Sequence, residues 1–425
     1  MNARFRGAFA VAAVAGAFGA WWALRPSWQV PPPTMANRPE VRMQDFRDAL
    51  YFPVREFLSS GNPYDPAAMF AHWPVRQSFN LYQPYHLALH LPFALPGYRV
   101  GAMAFAVVSL LLLVVLAGMA ASRLRPAVPL ALGTAAVTAL LVLSQVGKAQ
   151  LYLGQVNPLI AVGAAGALLT RTSHPRLASV ALALAWLKPQ FGLPLAVLLF
   201  ARGSRRVALS GTAVAAVASL PVVALLVARG GGPGPFLDAI AANLAHATGT
   251  DYGAVDSPTG QRVDLAAVLY RLTDWLAPAA EPLALAGVLA VSVVLVRRLD
   301  RLGTPDACAV ADLLTCLAVV VAVVHQPGDV LIAVPSATLA AVVWWRHRRE
   351  HRLPLVGLAV AALAVPFAHL HVVDSVVRAL FSPRAAVTLD GVAVVTAWLV
   401  LVVFAVTRTR TTRADRLEFA TGRAG

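Results

Sequence analysis

The sequence has few charged residues and very few cysteines. Charged side chains make up 13% of its 425 residues and hydrophobic side chains 58%, with a mean hydropathy of +0.68. An ordinary soluble domain needs more polar surface than this, so the composition indicates a chain that crosses a membrane many times. The two cysteines, Cys308 and Cys316, lie in one apolar segment. On a helix they would be about 12 Å apart, which excludes a disulfide between them.

The motifs of soluble enzymes are also missing: there is no P-loop, no GxSxG, no dinucleotide fingerprint and no CxxC pair. His347 and His351 have the spacing of a zinc helix but no HExxH pattern, and we expect no metal there. The net charge of +15 comes from arginines in short clusters between apolar segments. Such clusters orient membrane spans, so the charge does not indicate nucleic acid as a partner.

The arginine clusters predict the topology. We interpret residues 8–24 as an uncleaved first helix with a cytoplasmic N-terminus, with a signal peptide as the alternative. Further apolar runs alternate with basic ends and predict about 10–12 crossings in one all-α polytopic membrane domain, residues 1–407, followed by a basic cytoplasmic tail, residues 408–425. The further single runs are residues 100–121, 128–144, 157–169, 207–227, 283–296, 309–324, 330–345, 355–368 and 387–406.

Segments 25–98 and 229–263 are predicted external loops, and residues 264–276 have the apolar spacing of a short interfacial helix. The apolar run 177–200 is basic at both ends, which one crossing would not allow. A break at Lys188 and Pro189 into two short legs returns both ends to the cytoplasm, because proline cannot continue a helix. Lys188 then lies at the outer tip or in a cavity that opens outward.

The chain has only two lysines, Lys148 and Lys188, and both fall on the predicted outer side. Ionisable groups near the apolar zone are costly and usually line a cavity or bind a charged ligand. The same side holds further polar residues: Asp45, Asp48, Gln155, Asn157, Gln190, His325, Gln326, Asp329, His369, His371 and Asp374. A cavity with carboxylates at its rim and cations in its wall suits an anionic substrate that is attached to a lipid.

Simpler interpretations stay open for several of these side chains. Asp45 has the position of a helix cap, and Asp48 that of a solvated helix charge. Lys148 fits a lysine that snorkels to the interface, and His325 fits a hydrogen-bonded histidine at a helix end. Lys188, next to a proline break deep in an apolar run, is the hardest to explain without a ligand.

Several short motifs follow one another in a fixed order. They are Asp45-Phe46 after the first span, the turn Gly61-Asn62-Pro63-Tyr64, the segment Tyr82-Gln83-Pro84, the run Gly154-Gln155-Val156-Asn157, and Leu187-Lys188-Pro189 within the broken helix. From Asp45 to about Pro335 the chain resembles glycosyltransferase family 87, whose GT-C membrane enzymes include actinobacterial mannosyl- and arabinofuranosyltransferases. Gln83 stands where the family often has a proline, and Asp45 lies further from the Gly61 turn than usual, which leaves Asp48 as a rival.

The resemblance implies transfer of a sugar, mannose before arabinofuranose, from a polyprenyl-phosphate donor to a cell-envelope glycolipid or glycan, at an active site on the external face of a bacterial plasma membrane. Transfer needs a base for the acceptor hydroxyl and cations for the leaving phosphate. We therefore expect Asp45 to act as base in an inverting displacement, with Lys188 and His325 at the phosphate and without metal or cofactor. The other expected donor-site residues are Gln155, Asn157, Lys148, Tyr82, Gln190 and Asp329.

Two other classes of function fit parts of the sequence. A transporter or flippase for a lipid-linked or anionic solute would also have broken helices and intramembrane lysines, although such folds usually repeat internally and this sequence shows no repeat. A non-catalytic scaffold would leave the two outer lysines without a purpose. The high content of alanine, valine and arginine, with almost no lysine, is typical of a GC-rich bacterium such as an actinobacterium.

Overall fold

The computed structural model describes residues 3–125, 127–250, 253–257, 261–350 and 353–421, and every regular element within them is helical. The predicted all-α polytopic membrane fold is confirmed. The first half of the chain forms α1 (Ala3–Gln29), α2 (Phe52–Leu58), α3 (Pro66–His72), α4 (His86–Leu89), α5 (Leu91–Ala94), α6 (Tyr98–Ala121), α7 (Leu130–Leu143), α8 (Gln145–Leu153), α9 (Asn157–Thr170), α10 (Pro175–Ala185), α11 (Pro189–Ala201) and α12 (Arg205–Arg229).

The second half consists of α13 (Pro233–Thr248), α14 (Leu265–Thr273), α15 (Ala280–Arg301), α16 (Pro305–Ala322), α17 (Val334–His347), α18 (Pro354–Leu363), α19 (Val365–Ala368), α20 (His371–Leu380) and α21 (Pro383–Thr421). Shorter turns of 3₁₀-helix cover Met35–Asn37, Pro327–Ala333 and Arg348–Glu350, and a π-helical turn covers Phe46–Tyr51.

Seven helices of the described chain are long and apolar enough to cross a membrane: Arg4–Gln29, Tyr98–Ala121, Arg205–Arg229, Ala280–Arg301, Pro305–Ala322, Pro327–His347 and Pro383–Arg408. Two bent pairs raise the number to nine, and one of them, α7 with α8, bends by 66°. Three shorter apolar helices, α9, α10 and α11, complete the membrane-like part. The predicted 10–12 crossings are therefore reached only when these short helices are counted.

The predicted break in the run 177–200 is confirmed. Helix α10 ends at Ala185 and α11 begins at Pro189, and Lys188 between them has an extended backbone with φ −110° and ψ 113°. Proline has no backbone N–H to donate and its ring fixes a helical φ, so it is favourable at the first position of a helix and unfavourable inside one. The break places Lys188 immediately before the first residue of α11, in a short segment that is not helical.

The segment 229–263 is more ordered than its glycines and prolines indicate, because it contains the 16-residue helix α13. Pro233 is at the start of that helix, where proline is tolerated, and the apolar residues that follow have helical spacing. Asn243 on α13 and Asn80 exchange two hydrogen bonds of 2.8 Å, which fix the helix to the loop before α4. The interfacial helix predicted at 264–276 forms as α14, and Asp264 caps it by accepting the Ala267 N–H.

At the end of the bundle away from Lys188, one buried arginine joins three helices. The Arg202 side chain is fully buried after α11 and donates to both oxygens of Asp300 on α15 at 2.8 Å. It also reaches Asp312 on α16 at 2.7 Å, and Arg171 contacts the same carboxylate at 3.0 Å. Because Asp300 and Asp312 neutralise these arginines, the cluster can be buried in an otherwise apolar bundle.

Candidate functional site

Asp45 lies on an irregular turn that its neighbours hold in place. Met43 has a positive φ of 54°, and its backbone N–H donates to the Tyr152 carbonyl at 2.7 Å. After Asp45 the chain enters a π-helical turn, in which Phe46 is buried against the rings of Tyr98 and Phe105. Asp45 makes no side-chain capping hydrogen bond. Capping therefore does not explain this half-buried carboxylate.

Gly154 brings a second polar segment against this turn. It ends α8 with a φ of +72°, a conformation that side chains rarely adopt. A Cβ at this position would lie 2.6 Å from the Cβ of Phe46, closer than packed atoms can approach. Only glycine lets the two segments meet at this distance, and the next residue, Gln155, is thereby placed beside Asp45.

The turn, the Gly154 segment and the break at Lys188 surround one cavity. Its volume is about 140 Å³. Seven of the residues predicted for the site line it together: Asp45, Tyr82, Gln155, Lys188, Gln190, His325 and Asp329. These residues come from five separate parts of the sequence, and the fold gathers them in one place.

A chain of hydrogen bonds runs along the wall of this cavity. Lys188 Nζ donates to Asn157 Oδ1 at 2.8 Å, and Asn157 Nδ2 donates to Asp329 Oδ1 at 2.7 Å and to Gln155 Oε1 at 2.8 Å. Asp329 Oδ2 accepts the backbone N–H of Gln326 at 2.8 Å. The amide of Asn157 thus connects the half-buried cation of Lys188 to the buried carboxylate of Asp329, which fixes the position of Lys188 Nζ.

One ring nitrogen of His325 has no hydrogen-bond partner in the described structure. Its Nδ1 lies 3.0 Å from the Val323 carbonyl, and Phe191 packs edge-on against its ring with the centroids 4.4 Å apart. Its Nε2 is buried and, among the described residues, has no hydrogen-bond partner. Burial lowers the pKa of His325. A buried polar atom without a partner is costly, so Nε2 is suited to a ligand that enters the cavity.

The sequence profile of glycosyltransferase family 87 matches residues 80–327, more than half of the chain. The chain belongs to glycosyltransferase family 87. It is therefore a membrane glycosyltransferase, as the resemblance implied. No curated protein and no solved structure matches it. The matched region includes Gln155, Lys188 and His325, whereas Asp45 and Asp329 lie outside its ends.

The short motifs on which the resemblance rests contact one another in this family 87 member. Tyr64 of the Gly61 turn donates its hydroxyl to the Tyr82 carbonyl at 2.9 Å. Gln83, the residue after Tyr82, donates its backbone N–H to the carbonyl of Leu187 at 3.0 Å. Lys188 Nζ lies 5.4 Å from the centre of the Tyr82 ring, within cation–π range. The three motifs therefore hold Lys188 against the cavity in this glycosyltransferase.

Asp48, the rival of Asp45, has a different environment. Its carboxylate pairs with Arg47 Nε at 2.6 Å and accepts the backbone N–H groups of Gln77 at 2.9 Å and Arg76 at 3.2 Å. Only 2% of the residue is exposed, so the interpretation as a solvated helix charge is wrong. Burial raises the pKa of Asp48 to about 6, although Arg47 opposes the rise. The contacts of Asp48 join the π-helical turn to the loop that follows α3.

Burial also raises the pKa of Asp45, while the charge of Lys188 and a hydrogen bond with Gln155 act in the opposite direction. Asp45 lines the cavity and keeps part of its surface exposed there. A carboxylate with a raised pKa is a stronger base than one in water. In this glycosyltransferase the two neighbouring aspartates thus differ, since Asp45 faces the cavity and Asp48 is enclosed by protein donors.

Lys148 does not line the cavity with the other predicted residues. It lies in an adjoining cavity, with its Nζ 5.9 Å from the centre of the Trp22 ring. His369 lies elsewhere and contacts Asp390 at 2.9 Å, and the side chain of His371 lies outside the described residues. Within the described ranges, no group of three histidine, cysteine or acidic side chains could hold a metal ion.

Several residues of the cavity wall were not predicted from the sequence, among them Gln77, Phe79 and Leu81. These three belong to an extended stretch between α3 and α4 that has no periodicity and no motif of its own. The nearest signal is the Tyr82 motif directly after it.

Proposed function

We propose that this glycosyltransferase moves a sugar, mannose before arabinofuranose, from a polyprenyl-phosphate donor to a glycolipid or glycan of the cell envelope. The observation that supports this most directly is the convergence of Asp45, Lys188 and His325 on one cavity. Glycosyl transfer needs a base on one side of the reacting carbon and positive or donor groups on the other. The cavity offers both kinds of group.

Asp45 is the proposed base. It takes the proton of the acceptor hydroxyl as the acceptor oxygen attacks the anomeric carbon and the bond from that carbon to the donor phosphate breaks. Its raised pKa favours proton uptake, and the carboxylate lines the cavity beside Gln155 and does not cap a helix. Asp48 is proposed to support the turn and not to react.

Lys188 and His325 are proposed to hold the phosphate that leaves. Lys188 Nζ has one fixed partner, Asn157 Oδ1, so its remaining N–H groups can face a ligand. His325 Nε2 is the buried nitrogen without a partner in the described structure. Because Nδ1 donates to the Val323 carbonyl, Nε2 carries a proton only in the charged ring, and the negative charge of a bound phosphate favours that form. Gln155, Gln190 and Tyr82 line the same space and are proposed to contact the sugar.

A single inverting displacement fits the carboxylates of the cavity. A retaining reaction needs a second carboxylate that is free to act as nucleophile. The other described carboxylate in this cavity, Asp329, accepts hydrogen bonds on both oxygens, from Asn157 and from the Gln326 backbone. Asp329 is therefore proposed to orient Asn157 and not to attack the sugar.

An external active site is supported by the distribution of arginines. The basic clusters that follow α11, α15 and α17 lie at the helix ends away from the cavity. Arginines concentrate on the cytoplasmic side of membrane proteins. We therefore propose that both termini are cytoplasmic and that the cavity faces outward from a bacterial plasma membrane.

The test is product formation by the purified protein in lipid nanodiscs. Polyprenyl-phosphate mannose and polyprenyl-phosphate arabinofuranose are offered separately with a membrane glycolipid extract, with and without EDTA. We expect product from one donor, no effect of EDTA, and a loss of about 100-fold or more in kcat for Asp45→Asn. Asp238→Asn, which removes an exposed carboxylate on α13, is the matched control and keeps the activity.

Other results would contradict the proposal. Movement of labelled donor lipid across the bilayer without a glycosidic product would identify a transporter. Equal activity of Asp45→Asn and the parent protein would remove Asp45 from the mechanism. A product that retains the anomeric configuration of the donor would exclude a single displacement.

A further inference from the structure

A second and larger cavity adjoins the reaction cavity and has no role in the mechanism proposed above. Its volume is about 630 Å³, within the range of roughly 300–1,000 Å³ that is usual for ligand pockets. We call it the α1–α8 chamber, because the C-terminal end of α1 and the helix α8 form most of its wall. Arg42, Gln155, Gln261 and the turn Gln326-Pro327-Gly328 complete the described lining.

Two cations of the chamber have no counter-charge among the residues that the structure describes. Arg25 and Lys148 both line it and approach the ring of Trp22, at 4.7 Å and 5.9 Å from the ring centre. Among the described residues, no carboxylate lies within ion-pair distance of either one, whereas Arg42 on the same wall pairs with Glu40 at 2.6 Å. A pair of unneutralised cations near one aromatic ring is a suitable site for an anion.

The chamber also lies beside a surface made for lipid. Helix α1 leaves large apolar side chains exposed along its length, including Val11, Val14 and Phe18, of which 57–72% of the surface is accessible. Trp21 and Trp22 follow toward the chamber and are also exposed. Tryptophans concentrate at the level of the lipid headgroups, where their rings contact both the apolar and the polar region. The chamber therefore lies at the height of a headgroup phosphate.

The chamber meets the reaction cavity on the side of the base. Leu153, Gln155 and Gln326 line both spaces. Gln155 is also the side chain whose hydrogen bond influences the pKa of Asp45. A molecule held in the chamber can thus extend past Gln155 toward Asp45, where the acceptor hydroxyl must lie.

We propose that Arg25 and Lys148 bind the phosphate of a second lipid, and that the acceptor is accordingly an anionic, phosphate-bearing glycolipid. The acceptor role rests on the function proposed above, while the binding of a lipid phosphate does not. The bend of 66° between α7 and α8 turns α8 across the bundle and directs Lys148 toward α1. Trp22 packs between the apolar chains and the headgroup and keeps both cations close to the phosphate.

The binding test needs no transferase activity. The purified protein in a non-ionic detergent is mixed with radiolabelled dihexanoylphosphatidylglycerol, and dihexanoylglycerol glucoside serves as the neutral comparison. We expect saturable binding of the anionic lipid, at least tenfold weaker in Arg25→Gln/Lys148→Gln. Arg99→Gln, which removes an exposed cation at the start of α6, is the control and binds like the parent protein.

Three results would overturn the assignment. The double variant binds the anionic lipid as well as the parent does, the neutral glucoside binds equally well, or water-soluble glycerol phosphate binds as tightly as the lipid. The last result would identify a site for free phosphate compounds in place of a lipid site.

The acceptor role is tested by kinetics. The glycolipid extract is separated into anionic and neutral fractions, and we expect the acceptor activity in the anionic fraction. For Arg25→Gln/Lys148→Gln, the KM for that fraction rises at least tenfold while the KM for the donor is unchanged. Activity in the neutral fraction, or a rise in the donor KM alone, would overturn the role. A chain without any transferase activity fails the proposed function, and the binding test still decides whether the chamber holds a lipid phosphate.

Discussion

The contrast between Asp45 and Asp48 yields a prediction with two separate readouts. Both are aspartates of one turn, three residues apart, and both are isosteric with asparagine. Asp45→Asn is expected to lose activity and to keep its stability. The Asp45 carboxylate lines the cavity and forms no ion pair with the described residues. Asp48→Asn is expected to lose stability, because it leaves the charge of Arg47 buried without its partner.

The magnitude follows from the contacts of Asp48. Both side chains of the Arg47–Asp48 pair are almost fully buried, at 2% and 1% exposure. Removal of one partner of a buried ion pair costs about 3–5 kcal/mol, since the other charge stays desolvated. An asparagine keeps one oxygen that can accept the Gln77 N–H, and the raised pKa of Asp48 shows that its own buried charge is unfavourable in the folded protein. Loss of that charge offsets part of the cost, so we expect about 1–2 kcal/mol, below this range. Removal of a general base costs about 100-fold or more in rate.

The two effects are measured on the same preparations. Thermal unfolding in detergent gives the Tm of each variant, and product formation below the lowest Tm gives kcat. The reasoning is refuted if Asp48→Asn keeps the parent Tm and loses activity as Asp45→Asn does, because Asp48 would then be the reacting carboxylate. It is also refuted if both variants unfold at the same lower temperature.

Two further predictions concern the surroundings of the base, and a third concerns the Arg202 cluster at the other end of the bundle. Lys188→Met moves the acidic limb of the pH profile of kcat/KM to higher pH, because the lysine charge lowers the pKa of Asp45 and the base must be deprotonated; an unchanged limb would contradict this. Gly154→Ala destabilises the fold by about 1–3 kcal/mol, measured by Tm, since it strains a left-handed backbone and displaces Phe46. Arg202→Met leaves Asp300 without its ion pair and Asp312 with Arg171 alone, and it lowers stability by about 3 kcal/mol, with little change in the KM of either substrate.

The helices were largely predictable because apolar runs and arginine clusters act locally. The run predicted at 157–169 forms Asn157–Thr170, and the break at Lys188 follows from one proline. Helix α13 was missed because its glycines and prolines dominate the local pattern. Its position depends on contacts such as that of Asn243 with Asn80, 163 residues away, which no local pattern reports.

The site was predictable as a set of residues on one side, but not as a set of contacts. The predicted topology placed Lys148 and Lys188 on the same side of the membrane. It did not predict how far apart they lie on that side. The structure places the two lysines in neighbouring cavities. The pairing of Asn157 with Asp329 spans 172 residues and depends on how α9 packs on the Pro327–Ala333 turn. The sequence alone does not predict that packing.

Because Asn157 lies between Lys188 and Asp329, few substitutions at this position can be tolerated in evolution. A lysine only donates hydrogen bonds and a carboxylate only accepts them, so the residue between them must do both. Aspartate at position 157 would repel Asp329, and leucine would leave Lys188 without its acceptor. Single substitutions that would be conservative at other sites are thus unfavourable at position 157. We therefore expect Asn157, Lys188 and Asp329 to covary among homologues, so that a change at one of them is accompanied by a compensating change at another.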